Sequence, residues 1–108
     1  MSSIHDLLER AIAVGASDVH LKTGAEPFYR VSGELTESGF ATLPLDSLIP
    51  IINEILPSYL HEAFAREHEA DFSHHEEGVG RFRVNVFLSQ GQPTVAMRHV
   101  KDDIPTFK

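Results

Sequence analysis

Two arginines, Arg81 and Arg83, lie two residues apart in the stretch "GRFRVNVF", whose alternating apolar and polar residues predict a β-strand. Residues at i and i+2 of a strand share a face. The stretch "TVAMRHV" predicts the return strand of a hairpin. If Leu88 and Pro93 flank a four-residue loop, Arg83 lies directly opposite Arg98. Two guanidinium groups on one face can hold an anion between them, and phosphate matches their geometry best.

The same arginines allow a second interpretation. Like charges that face each other across a sheet are destabilising. Each arginine could therefore pair with an acidic side chain on an adjacent strand, for which Asp18 and Asp71 are candidates. A slip of one residue in the hairpin register would also move Arg98 to the opposite face. The sequence alone leaves the anion site and the ion pairs as open alternatives.

Seven histidines in 108 residues invite a metal-site hypothesis, because four lie in an acidic stretch: His61, His68, His74 and His75. However, the stretch "HEAFA" has Ala65 where a zinc-binding helix motif needs its second histidine. His74 and His75 also point to opposite faces if they lie in a strand. We therefore expect a solvated acidic surface there and no metal site.

Asp18 and His20 lie on the polar face of a predicted strand, "SDVHLK", where an Asp–His dyad is conceivable. No motif places a serine or cysteine nucleophile beside them, so triad catalysis is not expected. The stretch "GASDVHLKT" ends in Lys-Thr but has Leu21 where a phosphate-binding loop needs its second glycine. The chain alone is therefore not expected to hydrolyse a nucleotide.

The elements that carry these side chains follow from periodicity. Helical spacing predicts a helix from Ser3 to a stop at Gly15 and a third helix over about 59–68. Between them it predicts a second helix, capped by Asp46 with Pro50 near its first turn, whose apolar positions are Leu48, Ile49, Ile52, Ile55 and Leu56. Alternation predicts strands at 17–22, at 28–35 with a bend at Ser32-Gly33, and at 70–75, 81–88 and 94–100. This order predicts an α+β domain over residues 1–100, with about three helices and a largely antiparallel sheet of about six strands. Residues 101–108 are expected to begin a linker.

Composition narrows the function classes. Nine basic against sixteen acidic residues give a net charge of −7, which argues against nucleic-acid binding. Five of the basic residues and only two acidic ones fall in 78–108, the arginine hairpin included. The chain has no cysteine, and no apolar run approaches the roughly 18 residues of a membrane span. We expect a cytoplasmic protein without disulfides.

Several stretches together resemble one family. "GASDVHLKTGAEPFYRVSGEL" is similar to the "ASDLHL…P…RVDG" signature of PilT-type ATPases, the pilus-retraction motors of twitching motility in the type II/IV secretion ATPase superfamily. "EADFS", "GRFRVNVF" and "IPTF" resemble later blocks of the same N-terminal domain, in the same order. Ser32 departs from the signature by replacing its aspartate, and the hairpin loop "SQGQ" lacks an arginine that relatives often carry.

The resemblance implies a PAS-like domain that precedes a RecA-like ATPase domain. In this family six subunits form a ring, and each N-terminal domain packs on the ATPase domain of the same or an adjacent subunit. Arginines of the N-terminal domain approach the ATP phosphates. The motif positions fall on Arg83 and Arg98, with Arg81 as a secondary candidate, while Asp18 and His20 match a block to which we assign a structural or interfacial role.

The resemblance also implies cofactors and partners. ATP and Mg²⁺ belong to the full-length protein, and the domain alone is expected to bind neither, nor any other cofactor. The expected partners are the other subunits of a homo-hexamer and the inner-membrane proteins of the pilus base, with the motor on the cytoplasmic side of that membrane. Two alternatives remain: a free-standing PAS-like module with a small ligand behind its sheet, and a structural adaptor that docks through the acidic residues 61–77.

Overall fold

The computed structural model describes residues 3–101, which form three α-helices and one six-stranded sheet. The helices are α1 (Ser3–Ala13), α2 (Leu45–Ile55) and α3 (His61–Glu67), the last preceded by a 3₁₀ helix, Ser58–Leu60. The strands are β1 (Ala16–Lys22), β2 (Phe28–Val31), β3 (Glu34–Glu37), β4 (Glu69–Glu76), β5 (Gly80–Ser89) and β6 (Gln92–Val100). The predicted α+β class and order of elements are confirmed.

The strand order in the sheet is β3-β2-β1-β6-β5-β4, and all neighbours are antiparallel. The first three strands and the last three each form a meander, and β6 returns to the middle of the sheet beside β1. This pairing brings Asp18 opposite Arg98 and Leu21 opposite Val95. Residues that are far apart in the sequence therefore become neighbours at the centre of the sheet.

The core lies between one face of the sheet and the helices α1 and α2. In β5 the buried residues alternate strictly, with Phe82, Val84 and Val86 inward. Tyr29 is 1% exposed, and its hydroxyl donates a hydrogen bond to the carbonyl oxygen of Leu7 in α1, at 2.7 Å. Alternation along each strand leaves the opposite face of the sheet to the polar side chains.

Two tight turns set the register of the hairpins. Ser32 and Gly33 both have positive φ, 52° and 83°, as a two-residue turn between β2 and β3 requires. Gln90 and Gly91 do the same between β5 and β6, with φ of 55° and 79°. The predicted four-residue loop is therefore too long by two residues. The predicted register is nevertheless correct, because the shorter loop only adds the pair of Ser89 with Gln92 to the ladder.

The second helix differs from its prediction. Pro44 and not Asp46 is the N-cap, so Asp46 lies inside the first turn and Pro50 in the second. The carbonyl of Pro44 accepts from the backbone N–H groups of Ser47 and Leu48. Ile49, expected inside, is 41% exposed, because the buried stripe has the spacing i, i+3, i+4, i+7: Leu48, Ile51, Ile52 and Ile55.

The end of the chain carries two predictions that the structure does not describe. The "IPTF" block and most of the expected linker, residues 102–108, lie outside the described residues. Within residues 3–101, no helix has the length and hydropathy that a membrane span needs.

Candidate functional site

A row of charged side chains crosses the open face of the sheet. In the register, Arg30 of β2 pairs with Asp18 of β1, Asp18 pairs with Arg98 of β6, and Arg98 pairs with Arg83 of β5. Each residue lies on the same face as the next, since paired residues of neighbouring strands share a face. The predicted juxtaposition of Arg83 and Arg98 is therefore what the structure contains.

Both arginines also form the ion pairs that were the alternative interpretation. Arg83 donates from Nη2 to Oδ1 of Asp71 at 3.2 Å, and Arg98 donates from Nε to Oδ2 of Asp18 at 3.4 Å. The two guanidinium side chains remain 62% and 74% exposed. Exposed pairs of this kind are worth only about 0–1 kcal/mol. The carboxylates therefore relieve the repulsion between the arginines without making either arginine inaccessible.

These side chains surround an open groove of about 430 Å³. Besides Val84 and Met97, the residues that line it are Asp18, Asp71, Arg83, Asn85, Ala96 and Arg98. Two guanidiniums and two carboxylates give the groove formal neutrality, and both guanidinium side chains are exposed. Because both arginines stand on a paired hairpin whose other face is buried, their backbone positions are fixed by the core. The arrangement can accept an anion without rearranging the sheet.

The secondary arginine candidate lies outside this groove. Arg81 lies two residues before Arg83 in β5, and its register partners are His75 and Val100. It shares a face with Arg83 but is not among the residues that line the groove.

His20 and Asp18, both singled out by the sequence, have different surroundings. The ring of His20 stacks on Phe28 with centroids 4.9 Å apart. Burial lowers the pKa of His20, the charge of Asp18 raises it, and Arg30 and Lys22 lower it further, with a net decrease. Asp18 receives hydrogen bonds from Ser17 and Arg98. Asp18 therefore lines the groove, whereas His20 is not among the residues that line it.

A second polar cluster went unpredicted. His5 of α1 and His74 of β4 donate ring N–H groups to the two oxygens of Glu76, at 2.8 Å and 2.7 Å. Their side chains are only 12% to 28% exposed. The expectation of a solvated surface is therefore wrong for His74. The sequence pattern does predict this partial burial, because His74 and Glu76 continue the alternation of the buried residues Ala70 and Phe72.

The remaining histidines of that stretch are closer to expectation. His68 and His75 are exposed, and His61 makes a hydrogen bond through Nε2 with the carbonyl of Leu56 at 2.9 Å. Within the described range 3–101, no group of three His, Cys, Asp or Glu side chains could hold a metal ion.

The chain is similar in sequence to two type IV pilus ATPases. No protein-family model matches the chain. The chain is 36% identical over 105 residues to the type IV pilus retraction ATPase PilT of Pseudomonas aeruginosa. It is 26% identical over 102 residues to the type IV pilus ATPase PilU of the same organism. These alignments cover 97% and 94% of this chain but only 30% and 27% of the two relatives.

Structure comparison gives the same result. The crystal structure of the pilus retraction motor PilT with bound ADP matches with a TM-score of 0.87 and 31% identity, over 97% of this chain and 31% of that one. The ATPase DotB of Legionella pneumophila matches in fold, with a TM-score of 0.79 and 24% identity, over 95% of this chain and 30% of that one.

The fold thus matches part of the pilus retraction motor PilT and part of the ATPase DotB. In sequence and in fold the chain is similar to the N-terminal region of PilT, as the sequence resemblance implied. The chain spans less than a third of the length of the relatives that it matches.

Proposed function

We propose that the chain is the regulatory and assembly domain of a type IV pilus retraction ATPase. In this role it packs on a neighbouring ATPase domain and supplies Arg83 and Arg98 to the phosphates of ATP bound there. The observation that carries the proposal is the pairing of these two exposed arginines across β5 and β6, at an open groove, in a chain 36% identical to PilT.

The chemistry of phosphoryl transfer supports this role. The transition state spreads negative charge over the oxygens of the transferred group, and positioned cations stabilise it. An arginine supplied from a neighbouring domain is worth roughly 10³ to 10⁵ in rate in well-studied NTPases. Arg83 and Arg98 meet the geometric requirement, because each is fixed at its backbone and exposed at its guanidinium.

The remaining parts of the machine lie elsewhere in the proposed full-length protein. ATP and Mg²⁺ bind to a RecA-like ATPase domain, and six subunits form the ring. The motor acts in the cytoplasm, against the inner-membrane proteins at the base of the pilus. The domain described here contributes an interdomain surface and two cations to that assembly.

The alternative of a free-standing ligand-binding module receives less support. It expects a ligand cavity on the helix side of the sheet, where the pocket beside Leu7, Phe40 and Ile51 has about 280 Å³ and is smaller than the groove. The groove of about 430 Å³ lies on the opposite face of the sheet, and its lining is charged.

Alanine substitution in the full-length protein tests the proposal. Arg83→Ala and Arg98→Ala should each lower the rate of ATP turnover by about 10²-fold or more, while ATP affinity changes by less than about threefold. Arg81→Ala is the matched control, because it removes the same charge from the same strand outside the groove. Turnover at the wild-type rate in both groove variants would overturn the assignment of these arginines to the ATP phosphates.

A further inference from the structure

The two carboxylates of the groove hold their arginines by different nitrogens. Asp18 accepts from Nε of Arg98, whereas Asp71 accepts from Nη2 of Arg83. Phosphate binds a guanidinium best through two parallel N–H groups. Within residues 3–101, no other contact reaches Nη1 and Nη2 of Arg98, so its terminal edge stays open to a ligand. On Arg83 that same edge is partly occupied by Asp71.

The carboxylates also differ in how firmly they are held. The side chain of Asp18 is 16% exposed, and its Oδ1 accepts a hydrogen bond from the Ser17 hydroxyl at 2.6 Å. Asp18 also lies between two arginines of neighbouring strands, Arg30 and Arg98. The side chain of Asp71 is 58% exposed, and in the described part of the chain its carboxylate has no partner other than Arg83. Asp18 is therefore fixed, while Asp71 can rotate away at little cost.

We propose that these two residues act on the groove in opposite directions. Asp18 is a positioning residue, which orients Arg98 so that its terminal edge points at the anion. Asp71 is a competitor, which occupies Arg83 until a phosphate displaces it. That the anion is the phosphate of ATP rests on the proposed function. That the groove binds an anion rests only on the residues of the groove.

This arrangement determines which anions the groove prefers. With both carboxylates in place the two guanidinium charges are balanced, so a singly charged anion gains little from long-range attraction. A multiply charged phosphate can replace Asp71 on Arg83 and at the same time bind the open edge of Arg98. The groove is thus suited to a polyphosphate more than to chloride or to a carboxylate.

A simpler account treats both aspartates as counter-ions only. In that case, neutralising either one would raise the affinity for an anion by a similar factor. The proposal predicts opposite changes, provided that long-range electrostatics are screened. The test is therefore done at about 0.3 M salt, where the Debye length is shorter than the roughly 8 Å of physiological solution.

The experiment is a titration of the 108-residue chain with inorganic triphosphate, followed by NMR at the arginine Nε–H groups. Asp71→Asn should bind triphosphate about two- to fivefold more tightly, and Asp18→Asn about two- to fivefold more weakly, in line with exposed ion pairs. Asp18→Asn should also lower the order parameter of the Arg98 Nε–H bond, and Asp18→Glu, which keeps a carboxylate, should recover part of the order. Asp46→Asn removes the same charge from α2 and should change nothing.

The outcomes separate the two proposals. Affinity changes of the same sign in Asp18→Asn and Asp71→Asn, no change in either, or an unaltered order parameter at Arg98 would overturn the inference. Opposite changes, combined with wild-type ATP turnover of Arg83→Ala and Arg98→Ala in the full-length protein, would leave the anion site standing and remove ATP as its ligand.

Discussion

Arg83 and Arg98 face each other directly across the β5–β6 hairpin, and each reaches sideways to a carboxylate on the next strand, Asp71 on β4 and Asp18 on β1. The repulsion between the arginines is thus offset from both sides. Neither arginine is buried in the process. Two like charges therefore stand side by side on the sheet with their donors accessible, which is the condition for binding an anion between them.

Lysine substitutions distinguish charge from shape at this pair. Arg83→Lys and Arg98→Lys keep the positive charge but lose the planar fork that binds two phosphate oxygens at once. If the arginines stabilise the transition state of phosphoryl transfer, each variant of the full-length protein should lose about tenfold or more in kcat, with a much smaller change in KM. Steady-state kinetics with Arg81→Lys as the control measures this. Wild-type kcat in the lysine variants would mean that charge alone suffices.

The turn between β5 and β6 controls the alignment of the two arginines and offers a stability test. Gly91 has φ of 79°, so Gly91→Ala should lower the free energy of unfolding by about 1–2 kcal/mol through backbone strain. A new Cβ would meet no atom within 4 Å, so steric overlap does not contribute. Gln90→Asn places a residue that tolerates positive φ at the other turn position. It should raise the free energy of unfolding by about 0.5 kcal/mol. Urea unfolding measures the free energy of unfolding of both variants. If Gly91→Ala were as stable as wild type, the turn assigned to Gln90 and Gly91 would be excluded.

Much of this site was predictable from local sequence. The alternation of Phe82, Val84 and Val86 fixed which face of β5 is buried, and therefore where Arg83 points. The register followed from the hairpin, since the predicted four-residue loop 89–92 and the observed two-residue loop 90–91 have the same centre and give the same pairs. Local periodicity and turn chemistry act over a few residues, and predictions at that range were confirmed.

Contacts between distant segments could not be derived in the same way. Nothing in the local pattern says that β1 lies beside β6, so Asp18 was only one of two candidate partners for the arginines. The contact of His5 with Glu76 depends on how α1 crosses the sheet. The start of α2 was misplaced because Asp46 is a good N-cap residue, while the chain uses the carbonyl of Pro44 and packs Ile51 rather than Ile49. Tertiary packing overrode local preference there.

Tyr29 predicts a loss of stability at alkaline pH. Burial raises the pKa of Tyr29 to about 12, with a smaller opposing effect of the Arg10 charge. The unfolded chain releases this proton near the ordinary value of 10, so it binds fewer protons than the folded chain between pH 10 and 12. The stabilisation is therefore complete below pH 10 and is lost as pH rises toward 12.

The measurement is the urea midpoint of wild type and Tyr29→Phe from pH 8 to pH 12. At pH 8 the variant should be less stable by about 1 kcal/mol, because the hydrogen bond to Leu7 is lost. Above pH 10 the difference should shrink, because phenylalanine does not ionise. Tyr59→Phe is the control, since Tyr59 is 78% exposed and should not alter the alkaline profile. Parallel profiles for wild type and Tyr29→Phe would contradict the effect of burial.

Glu76 predicts a loss of stability at acid pH. Burial alone would raise the pKa of this carboxyl, but the hydrogen bonds and charges of His74 and His5 outweigh burial and lower the pKa below 4.5. A lowered pKa stabilises the folded chain at pH values above the pKa of the unfolded chain. This stabilisation disappears as pH falls through the pKa of the folded chain.

Glu76→Gln should therefore lower the free energy of unfolding by about 1–2 kcal/mol near neutral pH, because two hydrogen bonds to a charged acceptor are weakened. The cost should become smaller as pH falls through the lowered pKa of Glu76. Thermal or urea unfolding across this range measures it, with the exposed neighbour Glu77→Gln as the matched control. A pH-independent cost would mean that Glu76 holds α1 to β4 by packing and not by its charge.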